Sequence, residues 1–293
     1  MVGITASYFP KMTNLLNEIC KDIAEDIIKE GQPIVLVDEF DWYREVLSLF
    51  AKQVNLCESC ILLLENGMEQ EAYLLARSQF NNMLWIKYIC EGEGNSRVKE
   101  YFYQPYISHI FTNKKFKEMI TEYSNELDER FLEAKVMEQL DKVIDENTKI
   151  LKQENIPIKV KSIAELARQD RNLLSMYLTF YNEGSKFEHS DISKTKLYRK
   201  QATEEYGSER AFIFNLGQSD KECWISVFKC SFMSIFYAFE SLWSRVTNKE
   251  EQLFWQTEYG KAVYTREDFK SILWKMAICQ EMLNECHIEQ GVT

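Results

Sequence analysis

The sequence predicts an all-α protein: an irregular multi-helix bundle built around a long antiparallel helical hairpin, with little or no β-structure. Ten glycines and four prolines in 293 residues supply too little turn punctuation for a many-stranded fold. Apolar residues recur every three or four positions over long stretches, the spacing that lines one face of a helix. A hydrophobic content of 45% suffices for one large core or two joined helical layers, and no Gly/Ser-rich linker divides them. The expected organisation is one helical domain over 1–293, with a hairpin layer at 11–110, a charged helical excursion at 113–155 and a C-terminal layer at 157–287.

The first helix is expected from about Lys11 to Glu30, stopped by Gly31 and Pro33. Asp38 can cap a second helix, whose Phe40, Tyr43, Leu47, Phe50, Val54, Cys57, Ile61 and Leu64 form one seam that needs a partner helix. Asn66-Gly67 marks a tight turn into a third helix from about Met68 to Cys90, completing the hairpin. Asn95 or Ser96 starts a shorter helix, and Pro105 predicts a kink or break.

From Phe116 to Leu151 a narrow apolar stripe runs along a highly charged helix or broken helical pair, which reads as a solvated face with a packing seam. Ser162 and Glu165 form a capping-box pattern opening a helix expected to continue to Gly184. Ser190, Asp191 and Ser193 suit a local turn, and residues 195–206 suit a short helix. Phe212 to Phe214 reads as a small strand or an apolar loop. Ser219 with Glu222, and Thr265, are candidate caps for helices near 220–246 and 267–286.

A net charge of -11 disfavours broad nonspecific nucleic-acid binding. Nine basic and five acidic residues between Ile158 and Lys200 make that stretch locally positive, with Lys186, Lys194, Lys196, Arg199 and Lys200 near His189. RNA or a small anion is the ligand expected for the 186–200 segment. The N-terminus lacks the pattern of a secretion signal. The apolar run Cys223 to Trp243 is interrupted by Lys229 and Glu240, so no membrane span is expected and a cytoplasmic setting follows. The eight cysteines sit in apolar helical patterns and read as reduced packing residues, the Cys57-x-x-Cys60 pair included. His109, His189 and His287 are scattered, no ligand-spaced acidic set is present, and nucleotide-binding glycine motifs are missing. No metal and no cofactor are therefore expected.

The segments Leu62 to Gly67, Glu71-Ala72, Arg77-Ser78-Gln79-Phe80-Asn81, Tyr88 and Tyr181 to Ser190 together resemble an uncharacterised family of bacterial all-helical proteins of unknown function. The resemblance implies that Arg77-Ser78-x-Phe80 and Ser185-x-x-x-His189 are its two motifs. It also implies a glutamate after the Arg-Ser pair, where this chain has Asn81, a residue that hydrogen-bonds but cannot serve as a carboxylate base.

Without the resemblance, Tyr73, Arg77, Asn81 and Tyr88 fall near one side of the third helix, with Glu71 at its edge. A guanidinium on such a helix must be paired or face solvent. His189, with Ser185 four residues before it, has the pKa range that suits proton transfer near neutrality. The first expectation is a helical interaction or regulatory protein, set in bacterial stress or phage defence, that uses Arg77 and His189 to stabilise a polar junction. A protein partner or homo-oligomer is expected. One alternative is metal-independent RNA cleavage, with His189 moving a proton and Arg77 or Arg171 stabilising phosphorane charge. A noncatalytic anion or nucleotide sensor is the other.

Overall fold

A computed structural model describes residues 2–32, 42–93, 95–188, 199–202, 211–214, 223–248, 254–257, 260–264 and 266–289. Among the described residues the fold is all-α apart from two short two-stranded ladders, and the chain divides into two compact units. One comprises Met1–Glu91 with Ala167–Thr293; the other is Gly92–Leu166.

In the first unit, α1 (Val2–Asp22) runs through Pro10, beginning earlier than the predicted start at Lys11. It passes into a π turn, Ile23–Ile28, that ends at Lys29 in the left-handed region. Met12, Leu16, Ile19, Cys20, Ile23 and Ile27 make its fully buried stripe. The hairpin follows as α2 (Trp42–Glu65) and α3 (Glu69–Cys90). Every predicted seam residue from Tyr43 to Leu64 is buried; Phe40 and the proposed Asp38 cap lie outside the described residues.

The connection is a Schellman motif. Met68 N–H donates to the Leu63 carbonyl (2.9 Å) and Gly67 N–H to that of Leu64 (3.2 Å). Gly67 has φ 69°, a conformation where a side chain would clash with the following carbonyl. Inside the hairpin, Asn82 Nδ2 donates to the Leu49 carbonyl (2.6 Å) and to Gln53 Oε1 (2.9 Å).

The aromatic-rich α11 (Trp224–Asn248) packs on both hairpin helices. Small residues permit the approach: Cys230 Sγ lies 3.7 Å from the Ala76 carbonyl, and Cys57 Sγ lies 3.4 Å from Ser231 Oγ. The last helix, α12 (Arg266–Glu289), packs on α1 and anchors Lys275 between Glu18 (3.3 Å) and Asp22 (2.9 Å). By length and composition, Trp42–Glu65 and Trp224–Thr247 could each cross a bilayer, yet half and two thirds of their apolar windows are buried within the protein.

Two elements correct the sequence reading. Residues 199–201 form β1 (Arg199–Gln201), not a helix, paired antiparallel with the anticipated strand β2 (Phe212–Phe214). Cross-strand partners such as Arg199 and Phe214 override the helix preference of a short polar run that has no apolar face to bury. A second ladder, β3 (Phe254–Thr257) with β4 (Gly260–Val263), was not anticipated. The proposed caps at Ser219, Glu222 and Thr265 lie outside the described residues.

In the second unit, α4 (Ser96–Phe102) ends at Tyr103, and Pro105 sits in the first turn of α5 (Gln104–Glu122), where its missing N–H costs no helical bond. After α6 (Glu129–Leu132), α7 (Ala134–Gln153) packs back on α5, with an ion pair between Lys117 and Asp141. The expected seam is only partly internal: Ile120 and Leu151 are buried, whereas Phe116, Tyr123 and Phe131 remain exposed. A two-helix layer has too little facing surface to cover them. The capping box is present, with Ser162 N–H donating to Glu165 Oε2 (3.0 Å) and Glu165 N–H to Ser162 Oγ (3.2 Å). It opens α8 (Ile163–Ala167).

Candidate functional site

The helix expected to run unbroken to Gly184 is cut into three pieces. Asp170 Oδ1 accepts from the N–H groups of Asn172 (2.7 Å) and Leu173 (3.2 Å), which ends the preceding turn and starts α9 (Arg171–Met176). The chain then widens into a π turn, Tyr177–Tyr181, before α10 (Asn182–Glu188). A π turn carries one residue more than an α turn, and so redirects the side chains that follow it.

At this turn the segment meets α3. Phe180 stacks on Tyr73 with centroids 4.2 Å apart and planes within 6°. The Tyr73 hydroxyl donates to the Phe180 carbonyl (3.3 Å). Burial, with smaller contributions from Cys230, Cys223 and Glu183, pushes the Tyr73 phenol well above its ordinary range, so it stays a neutral donor. One turn along α3, the Arg77 guanidinium lies 4.3 Å from the centre of the Tyr181 ring, itself stacked on Tyr177 at 5.0 Å. Gly184 completes the contact: a Cβ there would lie 3.0 Å from the Tyr73 ring and 3.4 Å from Arg77 Cδ. Tyr73, Arg77, Phe180, Tyr181 and Gly184 thus form one clamp.

Beside the clamp a cleft of about 570 Å³ separates the α9–α10 segment from α11, with Tyr73 and Phe180 on its inner wall. Asn172, Ser175, Thr179 and Glu183 line one side; Ser226, Lys229, Met233 and Tyr237 line the other. Tyr237 and Asn172 face each other across it, and burial first, then the charges of Asp170 and Glu240, raise the Tyr237 phenol above its usual range.

Of the residues singled out in the sequence, the structure brings Tyr73 and Arg77 to the junction with the 181–188 segment, and Tyr73 alone of that set lines the cleft. Arg171 is exposed in the first turn of α9. Glu71 is exposed on α3, whereas Asn81 is half-buried. Tyr88 is buried eleven residues beyond Arg77, about 16 Å along the helix, where it meets Trp85 edge-on. Ser185 is half-buried on α10, and Lys186 is paired with Glu183 (2.8 Å). Arg199 is exposed, 5.7 Å from the Phe212 ring, and Lys200 pairs through its backbone with Ile213. His189, Lys194 and Lys196 lie outside the described residues, as does the turn proposed at Ser190, Asp191 and Ser193.

The partners that sequence reasoning missed are Gly184, Glu183 and the cleft face of α11. Tyr177, Phe180 and Tyr181 at spacings of three and four could have been read as a contact face, but nothing local specifies a π turn. Arg245 also went unread. It is 2% exposed, donates from Nη1 to the Ile89 carbonyl (2.8 Å) and lies 3.8 Å over the Trp42 ring.

Comparison with known proteins assigns the chain to one family. A family described as a family of unknown function, DUF5677, matches residues 44–206, more than half of the chain, and the protein belongs to it. That span holds all of α2 but its first two residues, all of α3 and the whole clamp segment. No curated protein and no solved structure matches.

Proposed function

We propose that this member of a family of unknown function is a noncatalytic regulatory protein whose responsive element is the 171–188 segment fastened on α3. The position of Arg77 carries the reading. A guanidinium engaged on the Tyr181 ring face, beside a glycine whose Cβ would press on the Tyr73 ring, holds two elements together. A group that stabilises charge developing in a reaction is instead aimed at the reacting atom. Packing of the two longest apolar helices against other elements of the protein supports a cytoplasmic setting.

Metal-independent RNA cleavage would need His189, Arg77 and Arg171 to converge. The engagement of Arg77 and the exposure of Arg171 favour the regulatory reading. The test is incubation of the full chain with mixed RNAs in EDTA. Intact RNA is expected, together with reduced stability of Arg77→Ala. EDTA-resistant cleavage that disappears in a folded His189→Ala variant would overturn the reading.

A further inference from the structure

The cleft beside the clamp has a size and a chemical order that define a ligand. Its volume of about 570 Å³ falls within the range of small-molecule sites and leaves room for several waters beside a compact solute. One wall is built on a π turn, a distortion concentrated at functional sites.

Polarity is distributed along the cleft. Asn172 and Tyr237 meet at one end. Eleven residues separate Asn172 from Glu183, and eleven separate Ser226 from Tyr237, so Glu183 and Ser226 lie about 16 Å away at the opposite end. Lys229 is one turn in from Ser226, so acid and base share that end. Between the ends the walls are Met176, Phe180, Cys230 and Met233. Glu183 and Lys229 are the charged groups among the lining residues, and they cancel. A polyphosphate would find one cation and an opposing carboxylate there, which disfavours the nucleotide class.

We propose that this cleft binds a free α-amino acid with a large aromatic side chain. Its ammonium sits at Glu183 and its carboxylate at Lys229; its ring lies along the two methionines and points its far edge toward Asn172 and Tyr237. An α-amino acid carries both charges on one carbon, as the cleft carries both counter-charges at one end. Desolvating the two ligand charges is offset only when each meets its own partner. Glu183 already holds Lys186 at 2.8 Å, but that pair is half-exposed and the ligand ammonium joins or replaces the lysine. The sulfur atoms of Met176 and Met233 suit the edge of an aromatic ring.

This assignment rests on the noncatalytic reading of the segment, and calorimetry on the full chain separates the two. L-tryptophan is expected to bind saturably and to be recovered unchanged. Tryptamine, which lacks the carboxylate, and indole-3-propionate, which lacks the ammonium, are each expected to bind at least about tenfold more weakly. Lys229→Met and Glu183→Gln lower tryptophan affinity by about the same factor, Thr179→Trp fills the cleft and abolishes binding, and Lys186→Ala does not weaken it. Circular dichroism identical to wild type qualifies each variant. Equal binding of indole-3-propionate, preference for ATP, or no binding of any amino acid by folded protein overturns the ligand class while leaving the noncatalytic reading intact. Conversion of bound tryptophan or cleavage of RNA overturns the noncatalytic reading.

Discussion

The guanidinium of Arg245 lies over the indole of Trp42, 3.8 Å from the ring centre, while donating to the carbonyl of Ile89. One buried cation therefore ties α11 to the start of α2 and to the last turn of α3, where unsatisfied carbonyls and the helix dipole favour positive charge. Arg245→Met keeps much of the volume but removes the cation–π contact and leaves the Ile89 carbonyl without this donor. The expected loss is about 3 kcal/mol in equilibrium unfolding. Arg245→Lys should recover only part of it, because an ammonium lacks the planar face. Wild-type stability in Arg245→Met would show that the contact contributes nothing net.

Gly184 sets two effects against each other. Alanine favours a helix over glycine by about 1 kcal/mol. The Cβ would press on the stacked Tyr73 ring at 3.0 Å, and overpacking of this kind costs about 1–3 kcal/mol. Packing wins because the ring is held between α3 and Phe180. Gly184→Ala should be destabilised by about 1 kcal/mol and Gly184→Val by more. A stabilised alanine variant in urea titration would mean that the ring gives way freely.

Glu165 reports on the capping box. Its carboxylate accepts from Lys159 Nζ (2.5 Å) and the Ser162 N–H (3.0 Å), which together pull its pKa down to about 2. The folded value lies below the unfolded one, so the box contributes fully above about pH 4.5 and is lost as pH falls toward 2. A carboxyl NMR titration should place the Glu165 midpoint well below the ordinary glutamate range. Lys159→Ala should move it upward. An ordinary midpoint would refute the box in solution.

Thiol chemistry should separate Cys223 from the rest. Seven cysteines are buried and Cys223 is half-buried. Contact with Cys57 and burial raise the Cys20 thiol, while burial raises Cys60 and Cys230 and pushes Cys279 up to about 12. Since the thiolate is the reactive form, an aromatic disulfide reagent at pH 8 should label one equivalent quickly and the others only on adding denaturant. Rapid labelling of several thiols in the native state would contradict this packing.

The hairpin was legible because two strong signals coincide: the three-and-four spacing from Tyr43 to Leu64, and an Asn-Gly pair at the turn. The Ser162–Glu165 box was legible for the same reason, its chemistry being local. Half of the clamp could be read, since Tyr73 and Arg77 stand out on a mostly apolar helix. The other half lies about a hundred residues later and depends on how a π turn aims Phe180 and Tyr181, a tertiary choice with no local mark. Arg245 was invisible because a cation in the last turn of a helix is ordinarily a surface residue answering the dipole. Its partners Trp42 and Ile89 come from elements that only the fold assembles. The stripe from Phe116 to Phe131 shows the reverse: a periodic pattern announces a face without supplying the layer that would cover it.

The π turn at Tyr177–Tyr181 couples chain length to the aim of the site. Straightening that turn to α geometry with all its residues kept would rotate everything after it by about 100°. Gly184 would leave the Tyr73 ring and Glu183 would leave the cleft, although neither residue had been altered. A single-residue deletion inside the turn should therefore leave the clamp aimed, whereas a change that straightens the turn at full length should act like the loss of the clamp. Within the family, relatives one residue shorter here should dock this segment the same way on an ordinary α turn.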